Sequence, residues 1–394
     1  MNIPGCEPDR TAPVVPIVMD RPRWGEEDRT FFSERMDLFA SGRSPSPVDE
    51  LESRIGALFG RTRVLSASSA TIALLIALKG LGIGPGDEVI VSPFSWYQVA
   101  RAIALAGART VFADIDFWSF TLDPEKAGRL VNARTRAIVA GNALGHPADW
   151  NRLGELARRH GLILIEDATE SFLCEYGGKT TGTLGDLSLF QFGSPHPNRG
   201  ESAGFLLSDR EDWHQSFRYL RNRTLPERFS GVATLHPSME AQISPATAIL
   251  CLMSLGVLPH ELKRRAFILR EYQTRMRSFE GVKDLYRSPE VGMLNSFLYM
   301  VHLGTRFSRS SRDAILNDLR QEGIEGVPYC QPLYLERFYI EAGYRKGLAP
   351  IAEKLADRAI ALPFHPALTA EEIDRIVSVL KDASLNVGAG ASIY

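Results

Sequence analysis

The chain has 394 residues, of which 44% are hydrophobic and 23% charged, and its formal net charge is -2 at pH 7. That length buries a sizeable core and suits two or three domains. The near-neutral balance gives no basic surplus for nucleic acid or for an anionic membrane surface.

The four cysteines, Cys6, Cys174, Cys251 and Cys330, lie far apart with no CxxC spacing. This argues against a zinc site, an iron–sulfur cluster or a disulfide framework and fits a reducing cytoplasm. The N-terminus has no long apolar run behind a basic start, and no stretch of about 18 residues is continuously apolar. Neither a signal peptide nor a membrane span is therefore expected.

In chain order, residues 1–20 are Pro-rich and irregular and are expected to form an arm. Apolar residues recur at helical spacing from Val48 to Leu58. Short aliphatic or β-branched runs then alternate with amphipathic segments. The runs are Arg63–Ser66, Glu88–Ser92, Thr110–Ala113, Ala137–Ala140 and Leu162–Glu166; the segments include Thr71–Leu81, Tyr97–Ala106 and Trp150–His160. This is the βαβ pattern of a largely parallel sheet covered on both faces. Leu187–Phe192 and Ala203–Ser208 read as two more strands. The expected fold is thus α/β: a mostly parallel seven-stranded sheet sandwiched by helices over 21–255. A smaller α+β domain follows over 256–394, after about thirty helical residues from Ala246.

Two segments carry candidate chemistry. Ser66-Ala67-Ser68-Ser69-Ala70-Thr71 follows a strand and opens a helix. Small residues there allow close approach of a ligand, and free N–H groups at a helix start favour phosphate. The same residues also read as an ordinary Ser/Thr helix cap. Leu164-Ile165-Glu166-Asp167-Ala168-Thr169-Glu170 is an apolar strand ending in carboxylates, the place where ligands sit in open α/β sheets. An acid there can hold a pyridinium nitrogen protonated, or merely cap the next turn.

Taken together, the segments resemble the DegT/DnrJ/StrS family of pyridoxal-phosphate (PLP) sugar aminotransferases, from about Pro16 to Leu380. Ser69–Leu74 is similar to that family's SGTxAL phosphate cup, and Gly84–Ile90 to its GPGDEVI turn. Pro93-Phe94-Ser95-Trp96 resembles its PxxTF/W segment, Gly145–Asp149 its GxPAD, Ile165–Ala168 its IEDAA, Gly182–Asp186 its GTFGD and Leu362–Pro366 its LPLHP. The resemblance implies a PLP-transferase fold and a homodimer with sites shared between subunits. It implies that Ala70 and Thr71 face the cofactor phosphate, that Trp96 covers the pyridine ring and that Asp167 pairs with the ring nitrogen. Glu170 stands where the family has Gln or His near the ring hydroxyl.

The pattern breaks at the lysine. An ungapped alignment anchored on Phe190, Phe192 and Gly204 puts His196 where the family's Schiff-base lysine belongs, and there is no lysine between Lys179 and Lys263. Imidazole forms no stable Schiff base but can serve as a general base. His196 also reads as an ordinary loop histidine between prolines that favour extended backbone. Gln191 replaces the serine that the family uses near the phosphate. The partner-subunit loop, normally NxRMSE, reads Glu240-Ala241-Gln242-Ile243-Ser244-Pro245, an acid and an amide in place of a donor and a cation.

Three readings follow. In the first, PLP or its amine form PMP is held non-covalently and the chain performs dehydratase-like or otherwise altered chemistry on a sugar or related small molecule, such as a nucleotide sugar, with His196 as base. In the second, the fold works without a cofactor, with His196, Glu170, Glu240 and Glu201 as acid/base candidates. In the third, the chain is a non-catalytic partner of an active paralogue.

Overall fold

The computed structural model describes residues 16–19, 24–193, 202–223, 237–277, 282–283 and 288–390. The large sheet is built from β1 (Arg63–Ala67), β2 (Glu88–Val91), β3 (Arg109–Phe112), β4 (Thr135–Gly141) and β5 (Ile163–Asp167). A two-stranded hairpin, β6 (Glu175–Tyr176) with β7 (Lys179–Thr180), interrupts it before β8 (Leu187–Phe192) and β9 (Ala203–Ser208) complete it. The strand order is β1-β9-β8-β5-β4-β2-β3. Every ladder is parallel except the two that flank β9. The expected seven-stranded, mostly parallel sheet is the one observed.

Continuous apolar runs explain why these strands lie inside: β2 reads EVIV and β9 reads AGFLLS, and every residue of both is buried. Strands covered on both faces carry such runs rather than an alternation. Helices supply the two covers. Tyr97–Ala106 buries Val99, Ala102 and Ile103. Trp150–His160 starts at Asp149, whose carboxylate accepts the Arg152 N–H at 3.1 Å, and buries Trp150, Leu153 and Leu156.

The second sheet is antiparallel, with β10 (Val282–Lys283), β11 (Tyr299–Leu303), β12 (Val327–Pro328) and β13 (Ala359–Leu362) in the order β10-β11-β13-β12. Helices Arg309–Gln321 and Ala370–Gly390 bury Ile315, Leu319, Ile373 and Ile376 in its core. There the Tyr272 and Tyr299 rings stack at 4.2 Å, and the Tyr272 hydroxyl donates to the Pro363 carbonyl at 2.7 Å. Ile17, from the segment expected to be an irregular arm, sits in this core at 2% exposure. Its N–H donates to the Gly323 carbonyl and its carbonyl accepts from Glu325.

Helix Pro245–Met276 spans 32 residues, and the boundary expected at 255/256 falls inside it. Its first half buries Ala248, Cys251, Leu252 and Leu258 with the large sheet; its second half buries Ile268, Tyr272 and Met276 with the small one. Among the described residues it is the one helix long and apolar enough to cross a membrane.

Candidate functional site

The site grows from the carboxyl ends of β4 and β5. The Asn142 N–H donates to the Asp167 carbonyl at 3.1 Å, closing the turn that follows β4. Glu166, fully buried, accepts from the Gly182 and Leu184 N–H groups at 2.8 Å, from Asn142 Nδ2 at 2.9 Å and from the Ser188 hydroxyl at 3.0 Å. Burial raises its pKa against those four bonds. It fastens the loop after β4, the loop before β8 and β8 itself under the site.

Asp167 points the chemistry outward. It is buried, and its Oδ1 accepts the Thr169 N–H at 3.0 Å. Burial pushes its carboxyl above the ordinary range despite that bond. Glu170 accepts the Leu144 N–H, and the Tyr329 hydroxyl reaches both of its oxygens at 3.0 Å. Burial raises Glu170 to about 7, with the neighbouring Asp167 charge adding to the rise. Among the described residues, no cation acts on either carboxyl. Two buried acids thus stand side by side without a positive partner among the described residues, an arrangement that favours neutral forms or a cationic ligand.

Trp96 closes the other side. It lies at the start of helix Tyr97–Ala106. With Phe94, Ser95, Ala143, Asp167 and Glu170 it bounds a narrow slot of about 10 Å³. The Trp96 indole N–H is buried near Glu170 without completing a hydrogen bond of ordinary geometry. Beyond the slot opens a cavity of about 720 Å³ between the two sheets, which shares Ser95, Trp96 and Glu170 with it. Tyr97, Leu298, Val327 and Leu333 give that cavity largely apolar walls, with Glu336 and Arg337 also lining it.

The helix start beside β8 has a different character. Ser69 caps helix Ala70–Gly80, its hydroxyl accepting the Ile72 N–H at 3.3 Å. The Ala70 N–H donates to Gln191 Oε1 at 3.2 Å, and the Ser68 N–H donates to the Ala241 carbonyl at 3.1 Å. Gln191 and Ala70 are thus brought together, with Thr71 next in the same turn. The loop expected to reach a partner lies here against its own chain. Within it Ala241 and Ile243 are buried while Glu240, Gln242 and Ser244 are exposed, and Gln242 Oε1 accepts from Asn222 at 2.7 Å.

His196 and Glu201, expected as acid/base candidates, lie outside the described residues. The sequence reading did not single out Tyr329 or Leu144. Tyr329 comes from beside β12, with no local motif to mark it. Leu144 carries φ 56°, and Glu240 and Cys330 are likewise left-handed at φ 48°. Such backbone is rare without glycine and concentrates at functional sites. Here it borders the Glu170 carboxyl, the helix start and the large cavity in turn.

Residues 36–381 match the DegT/DnrJ/EryC1/StrS aminotransferase family, and the chain belongs to it. Its homologues include sugar aminotransferases with the PLP-transferase fold. It is 29% identical over 369 residues to the GDP-perosamine synthase of Caulobacter vibrioides, covering 92% of this chain and 97% of that one. It superposes on DesV of S. venezuelae, solved with a ketimine intermediate, with a TM-score of 0.82 at 26% identity, covering 91% of this chain and 95% of that one. A Streptococcus pneumoniae protein solved in its PLP form has the same fold, with a TM-score of 0.84 at 22% identity over 94% of this chain and 99% of that one.

Proposed function

We propose that the chain is a lysine-less enzyme of this family that holds PLP or PMP without a covalent bond. It acts on a sugar or related small biosynthetic intermediate, with dehydratase-like or otherwise altered chemistry in place of standard transamination. The observation that carries this reading is the pair of buried acids, Asp167 and Glu170, with no cation acting on them among the described residues, facing a slot bounded by the Trp96 ring.

The residues fit the ring of such a cofactor. Asp167 would hold a proton on a pyridine nitrogen, Trp96 would cover the ring face, and the unsatisfied Trp96 N–H offers a further donor. When bound, the cofactor would supply an electron sink for carbanion chemistry. The chain's own part is to orient the ring, to keep water from the slot and to hold a proton at Glu170. His196 is assigned as the base that takes a proton from substrate, on the strength of the alignment. A nucleotide sugar is the proposed substrate class, in keeping with the GDP-sugar named for the Caulobacter relative. A homodimer with shared sites is proposed as well. The alternation of exposed Glu240, Gln242 and Ser244 with buried Ala241 and Ile243 supports it, because it leaves a polar edge for a partner subunit.

The test is titration with PLP and with PMP by absorbance and calorimetry, followed by borohydride trapping and mass analysis. Saturable binding without a lysine adduct is the expected result. A trapped lysine adduct would overturn the lysine-less assignment. Failure of either form to bind would leave the cofactor-free reading, which the satisfied donors at the helix start favour. With cofactor bound and a 4-keto nucleotide sugar as substrate, His196→Ala should abolish turnover while leaving cofactor affinity nearly unchanged.

A further inference from the structure

The start of helix Ala70–Gly80 would be the natural seat for a phosphate, because its first N–H groups point outward and the helix dipole favours an anion. In this chain two of those donors, and the Ser68 N–H just before them, are already used. Ser68 N–H goes to the Ala241 carbonyl, Ala70 N–H to Gln191 Oε1 and Ile72 N–H to the Ser69 hydroxyl. The geometry that brings Gln191 there is specific. In the β8–β9 ladder Gln191 pairs with Gly204, and in the β1–β9 ladder Gly204 pairs with Ala67. A Cβ at Gly204 would lie 2.3 Å from the Ala70 nitrogen. The absent side chain lets the helix start settle onto β9, within reach of the Gln191 amide from the neighbouring strand.

Arg221, at the end of helix Glu211–Arg221, is committed to Glu52 and to Ser66 Oγ and carbonyl oxygen. Glu240 adds an acid to the loop whose Ala241 carbonyl takes the Ser68 N–H.

We infer that Gln191 closes this helix start to phosphate, so that the site recognises its ligand through the ring and gains little from a phosphate group. The inference rests on the ring site proposed above and sets its specificity. The ligand class is a flat cationic or protonatable ring, phosphorylated or not.

The experiment compares PLP with pyridoxal, which has the same ring without the phosphate, by calorimetry on the full chain and two variants. The wild type should bind the two within about tenfold of each other. Gln191→Ser, which frees the Ala70 N–H, should tighten PLP by roughly 10- to 100-fold, the value of a charge-assisted hydrogen bond. Pyridoxal affinity should stay unchanged. Gln191→Glu keeps an acceptor of the same length and adds charge. It should weaken PLP alone, and it serves where the serine variant fails to fold. A wild-type preference for PLP of 100-fold or more would overturn this inference and leave the ring site standing. So would a loss of PLP affinity in Gln191→Ser, since the amide would then be a phosphate ligand. Failure of both compounds to bind any of the three proteins would overturn the ring site and this inference together.

Discussion

The Tyr329 hydroxyl lies 3.0 Å from each carboxylate oxygen of Glu170, joining a residue beside the small sheet to one at the end of a strand of the large sheet. That bond stabilises the ionised carboxyl and opposes the effect of burial. Removing it in Tyr329→Phe should therefore raise the Glu170 pKa further above 7. A hydrogen bond to a charged group is worth roughly 1.5–3 kcal/mol, or about one to two pH units. A pH titration of carboxyl-labelled protein by NMR, with Glu170→Gln to assign the signal, reads the change directly. An unmoved signal would mean that the hydroxyl does not bind the carboxylate.

Glu170 also makes stability depend on pH. Below its ordinary value of 4.5, folded and unfolded chains both carry the proton, and burial adds no penalty. Between 4.5 and about 7 the folded chain keeps a proton that the unfolded chain has released, so stability falls as pH rises. Above 7 the penalty is complete, on the order of 3 kcal/mol. Glu170→Gln cannot ionise and escapes this penalty. Its stability relative to wild type should rise by about that amount between pH 4.5 and pH 8 in urea unfolding. An equal difference at both pH values would show that Glu170 titrates normally.

Asp167→Asn replaces the buried acid with a neutral amide. If Asp167 pairs with a protonated ring, PMP affinity should fall by about 10- to 100-fold in calorimetry. Losing the Asp167 charge should also lower the Glu170 pKa. Unchanged PMP affinity would remove Asp167 from the proposed site.

Gly204→Ala is expected to be costly for a purely steric reason. Its Cβ would sit 2.3 Å from both the Ala70 nitrogen and the Ser69 carbonyl carbon. These are backbone atoms that cannot swing aside. Overpacking of this kind costs about 1–3 kcal/mol or more. Urea unfolding should show the loss, and a wild-type midpoint would contradict the close approach.

Much of the large domain was legible because its strands are continuous apolar runs with clear punctuation. Leu187–Phe192 and Ala203–Ser208 were read with the bounds they have, and helix Tyr97–Ala106 likewise. Trp96, Asp167 and Glu170 could be gathered into one site because the segments that carry them resemble the family's motifs, and Asp167 ends a strand of that sheet. Tyr329 escaped, since it reaches the site from 159 residues away in sequence and only tertiary packing joins it to Glu170. Gln191 was read as a departure from the serine expected there. Its bond to Ala70 depends on the cross-strand register with Gly204, which no local pattern encodes. Ile17 was taken for part of an irregular arm because the short apolar run around it, Val14, Val15, Val18 and Met19, is broken by Pro13 and Pro16 and gives no periodic signal.

Helix Pro245–Met276 contributes side chains to both cores, at a length of about 48 Å for its 32 residues. Neither half of the protein has a complete interior of its own. Fragments cut at 255/256 would each expose a severed apolar stripe and should fail to fold when expressed separately. The intact chain should melt in one calorimetric transition, and denaturation of either sheet should drag the other with it. Two sheets in architecture should in this sense be one unit in thermodynamics.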